Sequence, residues 1–357
     1  MKVLQAFLKQ TPLTRCNLNW NVFLGVLYPL RFEPIYLSKI WGGDRIQGLS
    51  GRDVGGMTKV GESWELSGVE GQVSVVCEGP LHGKSLHELI EQWGADLLGH
   101  RVMAVHGSQF PLLFKLLSSS QDLSLQVHPN DEQARRMVGA YALGKTEMWV
   151  ILQADPGACL YNGFVEGYQG HDLEARAREG RLMEVIQRIE VRAGDVFYIP
   201  AGRVHTIGAG MLIAEIQQSS DTTYRIDDFG RVDDRGLPRA LHLDEALQVM
   251  CCDGPGLHAR PQALEGLPGH LLARGPYFEC NRMELSAGQS LDRPLDGLDS
   301  PVVLMILSGT AVLEHASGQT VVRAIETLML PAALPSYRMH ATVDAEWLEV
   351  YLPLAGV

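Results

Sequence analysis

The sequence predicts a mainly β protein made of two successive barrels or sandwiches, the first carrying helical insertions. Two observations predict it. Short strand-like runs recur between clusters of Gly, Pro and Asp: "GQVSVVCEG" (71–79), "LSLQVHP" (123–129), "TEMWVILQ" (146–153), "DVFYIP" (195–200) and "MLIAEIQQ" (211–218). A Gly- and Pro-rich stretch at 253–269 then precedes a second series, at 278–285, 302–309, 310–315, 327–332 and 347–353. At 357 residues the chain can bury more than one core. The expected division is an extension (1–27), a larger unit with the helical insertions (28–250), a linker (251–269) and a smaller C-terminal unit (270–357).

Helical periodicity enters the first unit in three places. Ser85 is a candidate N-cap for a helix within 84–99, with Leu86, Leu89, Ile90 and Trp93 on one face. Asn130 and Gln133 form a capping-box pattern for a helix reaching about residue 142. Residues 171–189 place Leu182, Val185, Ile186 and Ile189 on one helical face. The apolar run "VFLGVLYPL" (22–30) is too short to span a bilayer. With Lys2 it suggests a signal peptide, but Lys9, Arg15 and the Asn-rich middle interrupt that pattern.

Composition narrows the function classes. The formal charge of −12 and the lack of a basic run argue against a nucleic-acid partner, and nothing suggests a membrane. The six cysteines include no C-x-x-C pair, which fits reduced cytoplasmic thiols.

The chemistry-bearing residues gather in a few strands. Gln126 and His128 share one face of a strand that ends at Pro129. In "GKTEMWVIL" (144–152), Lys145, Glu147 and Trp149 share a face. In "GDVFYIPAGRVH", Gly194 is followed by Pro200, Ala201, Gly202 and then His205, a strand–turn–strand with an inward His. That spacing resembles the second motif of cupin barrels. Neutral imidazoles with a carboxylate suit zinc or another divalent first-row metal. Residue types alone leave that role open, because buried His and Glu also serve as hydrogen-bond partners. Glu215 and Gln217 share a face in "AEIQQSSDTTYRIDDFGR" (214–231), and Arg225 is either a surface ion pair or a fixed cation for an oxyanion. Lys115, inside "PLLFKLL", must be paired or emerge at a polar site.

Five ordered stretches, "FPLLFKLL", "LSLQVHPND", "GKTEMW", "AGDVFYIPAGRVHTIGAG" and "EIQQSSDTTYRIDDFGR", resemble the type I mannose-6-phosphate isomerases in their short bacterial form. "KIWGGDRI" (39–46) and "GESWELSG" (61–68) are similar to that family's N-terminal motifs. The resemblance is dense over about residues 30–245. It implies two cupin-type jelly rolls and one Zn2+ per chain, surrounded by Gln126, His128, Glu147 and His205. It also implies an active-site Arg225, pocket residues Lys145 and Glu215, a phosphosugar substrate and a monomer or homodimer. Lys115, Ser118 and Ser119 are expected near the phosphate. The second unit reads as a degenerate cupin: with Pro331 set on Pro200, Ile325 takes the Gly position and Ser336 the His position. Two other classes stand beside this reading, a cupin oxygenase using His128, Glu147 and His205 for iron, and a non-catalytic sugar-binding cupin. A fused nucleotidyltransferase is disfavoured, since no Gly-rich nucleotide loop precedes the cupin region.

Overall fold

The computed structural model describes residues 27–353 apart from 234 and 257; almost all of the expected extension 1–27, with its signal-like pattern, lies outside them. The chain is mainly β, and its strands form two sandwich-like units. In the first, a six-stranded antiparallel sheet runs Ile35–Gly43, Val60–Ser67, Leu112–Ser119, Met211–Gln218, Glu147–Ala154 and Val196–Ile199. It faces a five-stranded sheet ordered Tyr224–Asp227, Leu125–Val127, His205–Ile207, Cys159–Phe164 and Ile186–Glu190. The second unit pairs a seven-stranded sheet with a four-stranded one made of Ser290–Pro294, Ser336–Ala341, Thr310–His315 and Gly318–Arg323.

The central strands of the six-stranded sheet are buried on both faces, which explains their unbroken apolar runs. All eight residues of Leu112–Ser119 are buried. Phe114, Leu116, Met148, Val150, Ala214 and Ile216 pack outward in one core with Val303, Met305, Leu348 and Val350 of the second unit. The alternate residues Leu117, Trp149, Ile151 and Ile213 pack inward. The period of two thus sends Lys115, Trp149 and Glu215 toward the interior of the first unit.

The chain also crosses between units. Leu30–Arg31 pairs with Thr327–Leu330 of the second unit. The stretch 251–269 is held rather than free: the Cys251 N–H donates to Gly202 O at 2.8 Å, Phe197 bridges to His258, and Gln262–Ala263 joins the seven-stranded sheet.

Several local expectations are corrected. Residues 71–79 form only isolated bridges at Val75 and Val76, so this run is not a strand. The helix expected within 84–99 is two, Leu86–Trp93 and Ala95–Leu98, because Gly94 between them adopts φ 46. Ser85 caps the first through a complete capping box with Glu88. The Asn130–Gln133 box is also formed, but that helix ends at Met137. Within 171–189 only Leu173–Arg178 is α-helical; Leu182–Val185 is a 3-10 turn, and Ile186–Glu190 is a strand. Gly180, at φ 68, lies in the break, and an apolar i, i+3 spacing across it cannot distinguish a helix from a turn entering a strand.

The second unit matches the first at one unusual backbone position. Gly194 has φ 92, and Ile325 at the corresponding place has φ 70, a left-handed conformation unusual for a β-branched residue. Its carbonyl accepts from the Arg52 guanidinium at 2.6 Å. Ser336, at the position of His205, is exposed.

Candidate metal centre and active site

Three side chains from different strands meet inside the first unit. His128 follows the strand Leu125–Val127, His205 opens His205–Ile207, and Glu147 opens Glu147–Ala154 on the facing sheet. Their ligand atoms lie within 4.8 Å of one another, and the residues are 1%, 0% and 1% exposed for His128, Glu147 and His205. The proline turns matter here. Pro129 ends one strand, and the turn from Pro200 to Gly202 reverses the chain before another, so both imidazoles sit at strand ends. The Gly202 N–H donates to His128 O at 2.8 Å, joining the two turns.

Backbone carbonyls orient both rings. His128 Nδ1 donates to Thr222 O at 3.0 Å, and His205 Nδ1 donates to Arg203 O at 2.9 Å. The lone pair of each neutral ring is therefore on Nε2, and both Nε2 atoms face Glu147, at 3.7 Å and 3.2 Å. Burial, and then the Lys145 ammonium, push His205 down to about 3, and the same causes hold His128 well below the usual imidazole range. Among the described residues the Glu147 oxygens accept no well-directed hydrogen bond; their polar contacts there are the two rings and the Lys145 ammonium. Two neutral imidazoles beside such a carboxylate form a donor set suited to a divalent metal. Lys145 Nζ, 2.9 Å from Glu147 Oε2 and 3.0 Å from His128 Nε2, shows that the cluster attracts positive charge. Gln126 lies at its edge, with its carboxamide 3.3 Å from His205 Nε2, and its Cα is paired with both His205 and Arg225.

Beside the cluster lies a polar cavity of about 240 Å3. Lys39, Lys115, Lys145, Arg225 and Arg239 line it, with Glu62, Glu215 and Asp221. Lys115 Nζ stands 3.4 Å from Glu215 Oε2 and 3.9 Å from Glu62 Oε2, and 4.9 Å above the Trp64 ring. This answers the cost of a lysine in an apolar strand: burial alone would drop its pKa, but the two carboxylates raise it and keep it charged. Burial works against ionisation of Glu62 too, yet Lys115 and Lys39 hold it down at about 2. Glu215 behaves differently. Burial and Glu147 raise it, against the opposing pull of Lys115. Trp149 Nε1 donates to Glu215 Oε1 at 2.9 Å, while its ring meets His205 edge-on at 5.3 Å. One tryptophan thereby sets the carboxylate relative to the ring. Arg225 makes no ion pair among the described residues; Nη1 donates to Ala240 O at 2.8 Å, and Nε is buried without a partner.

These arrangements agree with what the chain resembles. A family model described as "Phosphomannose isomerase type I, catalytic domain" matches residues 30–162. The mannose-6-phosphate isomerase of Streptococcus mutans is 35% identical over 320 residues, covering 87% of this chain and 96% of that protein. The chain belongs to the type I mannose-6-phosphate isomerases. The isomerase ManA of Bacillus subtilis is 36% identical over 323 residues, covering 88% of this chain and 97% of that one. The crystal structure of a mannose 6-phosphate isomerase from the same organism superposes with a TM-score of 0.81 at 27% identity, covering 91% of this chain and 99% of that one.

Within this type I isomerase, the expected residues do not all converge. Gln126, Lys145, Glu215, Arg225 and Lys115 line the cavity, over the cluster of His128, Glu147 and His205. Ser118 does not join them. It sits one residue out of phase with Lys115 and Leu117, and its Oγ accepts from the Arg45 N–H at 3.3 Å beside a separate cavity. Ser119 is also outside the site, with its Oγ donating to Gly208 O. Strand parity could have excluded Ser118. Ser124, in phase with Gln126, lines the cavity instead. Sequence reasoning also missed Lys39, Glu62, Asp221 and Arg239 as site residues. Lys39 and Glu62 lie in the family-like motifs "KIWGGDRI" and "GESWELSG", and Asp221 in "EIQQSSDTT", so a signal was present. Nothing local marked Arg239. No helix among the described residues is long and apolar enough to cross a membrane.

Proposed function

We propose that this isomerase interconverts mannose 6-phosphate and fructose 6-phosphate by proton transfer through an enediol, with one zinc ion held by His128, Glu147 and His205 and Gln126 as an additional ligand. The observation that carries the reading is the buried His–Glu–His cluster beside a cavity lined by five cationic and three carboxylate side chains, with Gln126 and Lys145 touching both, in a chain of this family. Bound zinc supplies Lewis-acid polarisation of the sugar's oxygens.

The chain's own residues supply the rest. Glu215 is the base: it faces the cavity, is turned by Trp149, and has its proton affinity raised by burial and Glu147, so it can take the proton from C2 and, after exchange with solvent, deliver one to C1. Lys115, paired with Glu215, orients that carboxylate and balances its charge. Arg225 and Arg239 stand at the cavity wall as oxyanion contacts. Arg225 keeps an unpartnered Nε, whereas Arg239 is steered by Asp228 through a 2.8 Å Nε–Oδ2 bond. Lys145 reaches both the cluster and the cavity and assists ring opening. Five free thiols among the described residues suit a reducing cytoplasm.

The test is incubation of zinc-loaded protein with mannose 6-phosphate in heavy water. Fructose 6-phosphate carrying deuterium at C1 is expected; no ketose product would overturn the assignment. Glu215→Gln should lower kcat by about 100- to 10,000-fold while keeping the metal, since a general base contributes on that order. A variant within about tenfold of the parent would place the base elsewhere.

A further inference from the structure

The three ligand-bearing segments come from distant parts of the chain, yet two side chains, Gln218 and Thr146, tie them together. Gln218, the last residue of the strand Met211–Gln218, is 2% exposed, and its side-chain amide is hydrogen-bonded through both Oε1 and Nε2.

Gln218 grips two of the segments. Its Oε1 accepts from the Thr146 N–H at 2.9 Å, next to Glu147, and its backbone N–H donates to Thr146 O at 3.1 Å. Its Nε2 donates to Asp131 Oδ1 at 2.8 Å, three residues beyond His128, and that oxygen also accepts from the Gly144 N–H at 2.7 Å. A side chain at Gly144 would collide with the Asn130–Asp131 backbone, so these segments are in direct contact. The third segment is reached through Thr146, which is 4% exposed: its Oγ1 accepts from the Ala201 N–H at 3.2 Å, in the turn that leads to His205.

We propose that Gln218 and Thr146 are positioning residues that hold the His128, Glu147 and His205 segments at metal-binding separation. Neither side chain supplies a ligand atom; each fixes groups that neighbour the ligands along the chain. Outer hydrogen bonds of this kind set how tightly a preformed site binds. The inference rests on the metal reading above.

The test is zinc affinity of the full chain, measured by competition with a chromogenic chelator. Gln218→Met and Thr146→Val keep side-chain volume but remove the links, and each should weaken zinc binding by about 10- to 100-fold. Thr146→Ser restores the hydroxyl and should bind within about threefold of the parent. At saturating zinc, all three should still take up one zinc per chain like the parent, which loss of general integrity would not allow. Parent-like zinc affinity in both Gln218→Met and Thr146→Val overturns the inference while leaving the metal reading intact. A parent protein that binds no zinc overturns the metal reading itself.

Discussion

His205→Ala should release the metal and abolish most turnover. His205 Nε2 is one of three ligand atoms within 4.8 Å of each other, and alanine leaves only His128 and Glu147 from that group. The backbone should hold, because the Cα of residue 205 is paired with both Gln126 and Asn162. Loss of Lewis-acid stabilisation worth several kcal/mol corresponds to about 100- to 10,000-fold in turnover. Elemental analysis of the purified variant, beside its steady-state kinetics, checks both parts. A His205→Ala protein with one tightly bound zinc and normal turnover would sink the ligand assignment.

Arg293→Met should destabilise the second unit without touching the active site. Glu349 is 0% exposed, and Arg293 holds it with Nε and Nη2 at 3.0 Å and 2.8 Å from Oε1, with Tyr337 Oη donating to Oε2 at 2.6 Å. Methionine fills the stem's space but removes the charged donor and leaves the neutral Tyr337 hydroxyl. Breaking a buried ion pair from one side costs about 3–5 kcal/mol. Adding Glu349→Leu should recover much of the loss, because no uncompensated charge then remains. Denaturant unfolding measures both. The cavity proposed as the active site is lined by residues between Lys39 and Arg239, so kcat of the folded Arg293→Met protein should match the parent. An unchanged unfolding midpoint would show that the pair carries no such burden.

The strands that bear the candidate ligands were legible because a period of two places alternate side chains on one face, and a proline turn marks a strand end. Gln126 with His128, and Lys145 with Glu147, were readable in that way. The helical insertions were less legible. Gly94 and Gly180 break runs whose apolar spacing continues across them, and the break depends on a positive φ that composition does not reveal. Ser118 was misplaced although its parity with Lys115 was visible in the sequence. Arg239 lies far along the chain from the cluster, and only folding brings it to the cavity.

By itself the sequence determined the mainly β class, the Asn130–Gln133 capping box, the Ser85 N-cap, the identities of the candidate ligands and the family resemblance, since all of these rest on local order. Only the tertiary structure decided which face of each strand became the site. It placed the six-stranded sheet between two cores, so that Lys115 and Glu215 had to pair inside rather than reach water. It also turned Nδ1 of both histidines onto backbone carbonyls, one of them from a distant segment, leaving each Nε2 for the cluster. The physical reason is that burial and hydrogen-bond partners are properties of neighbours, and most of these neighbours are distant in the chain.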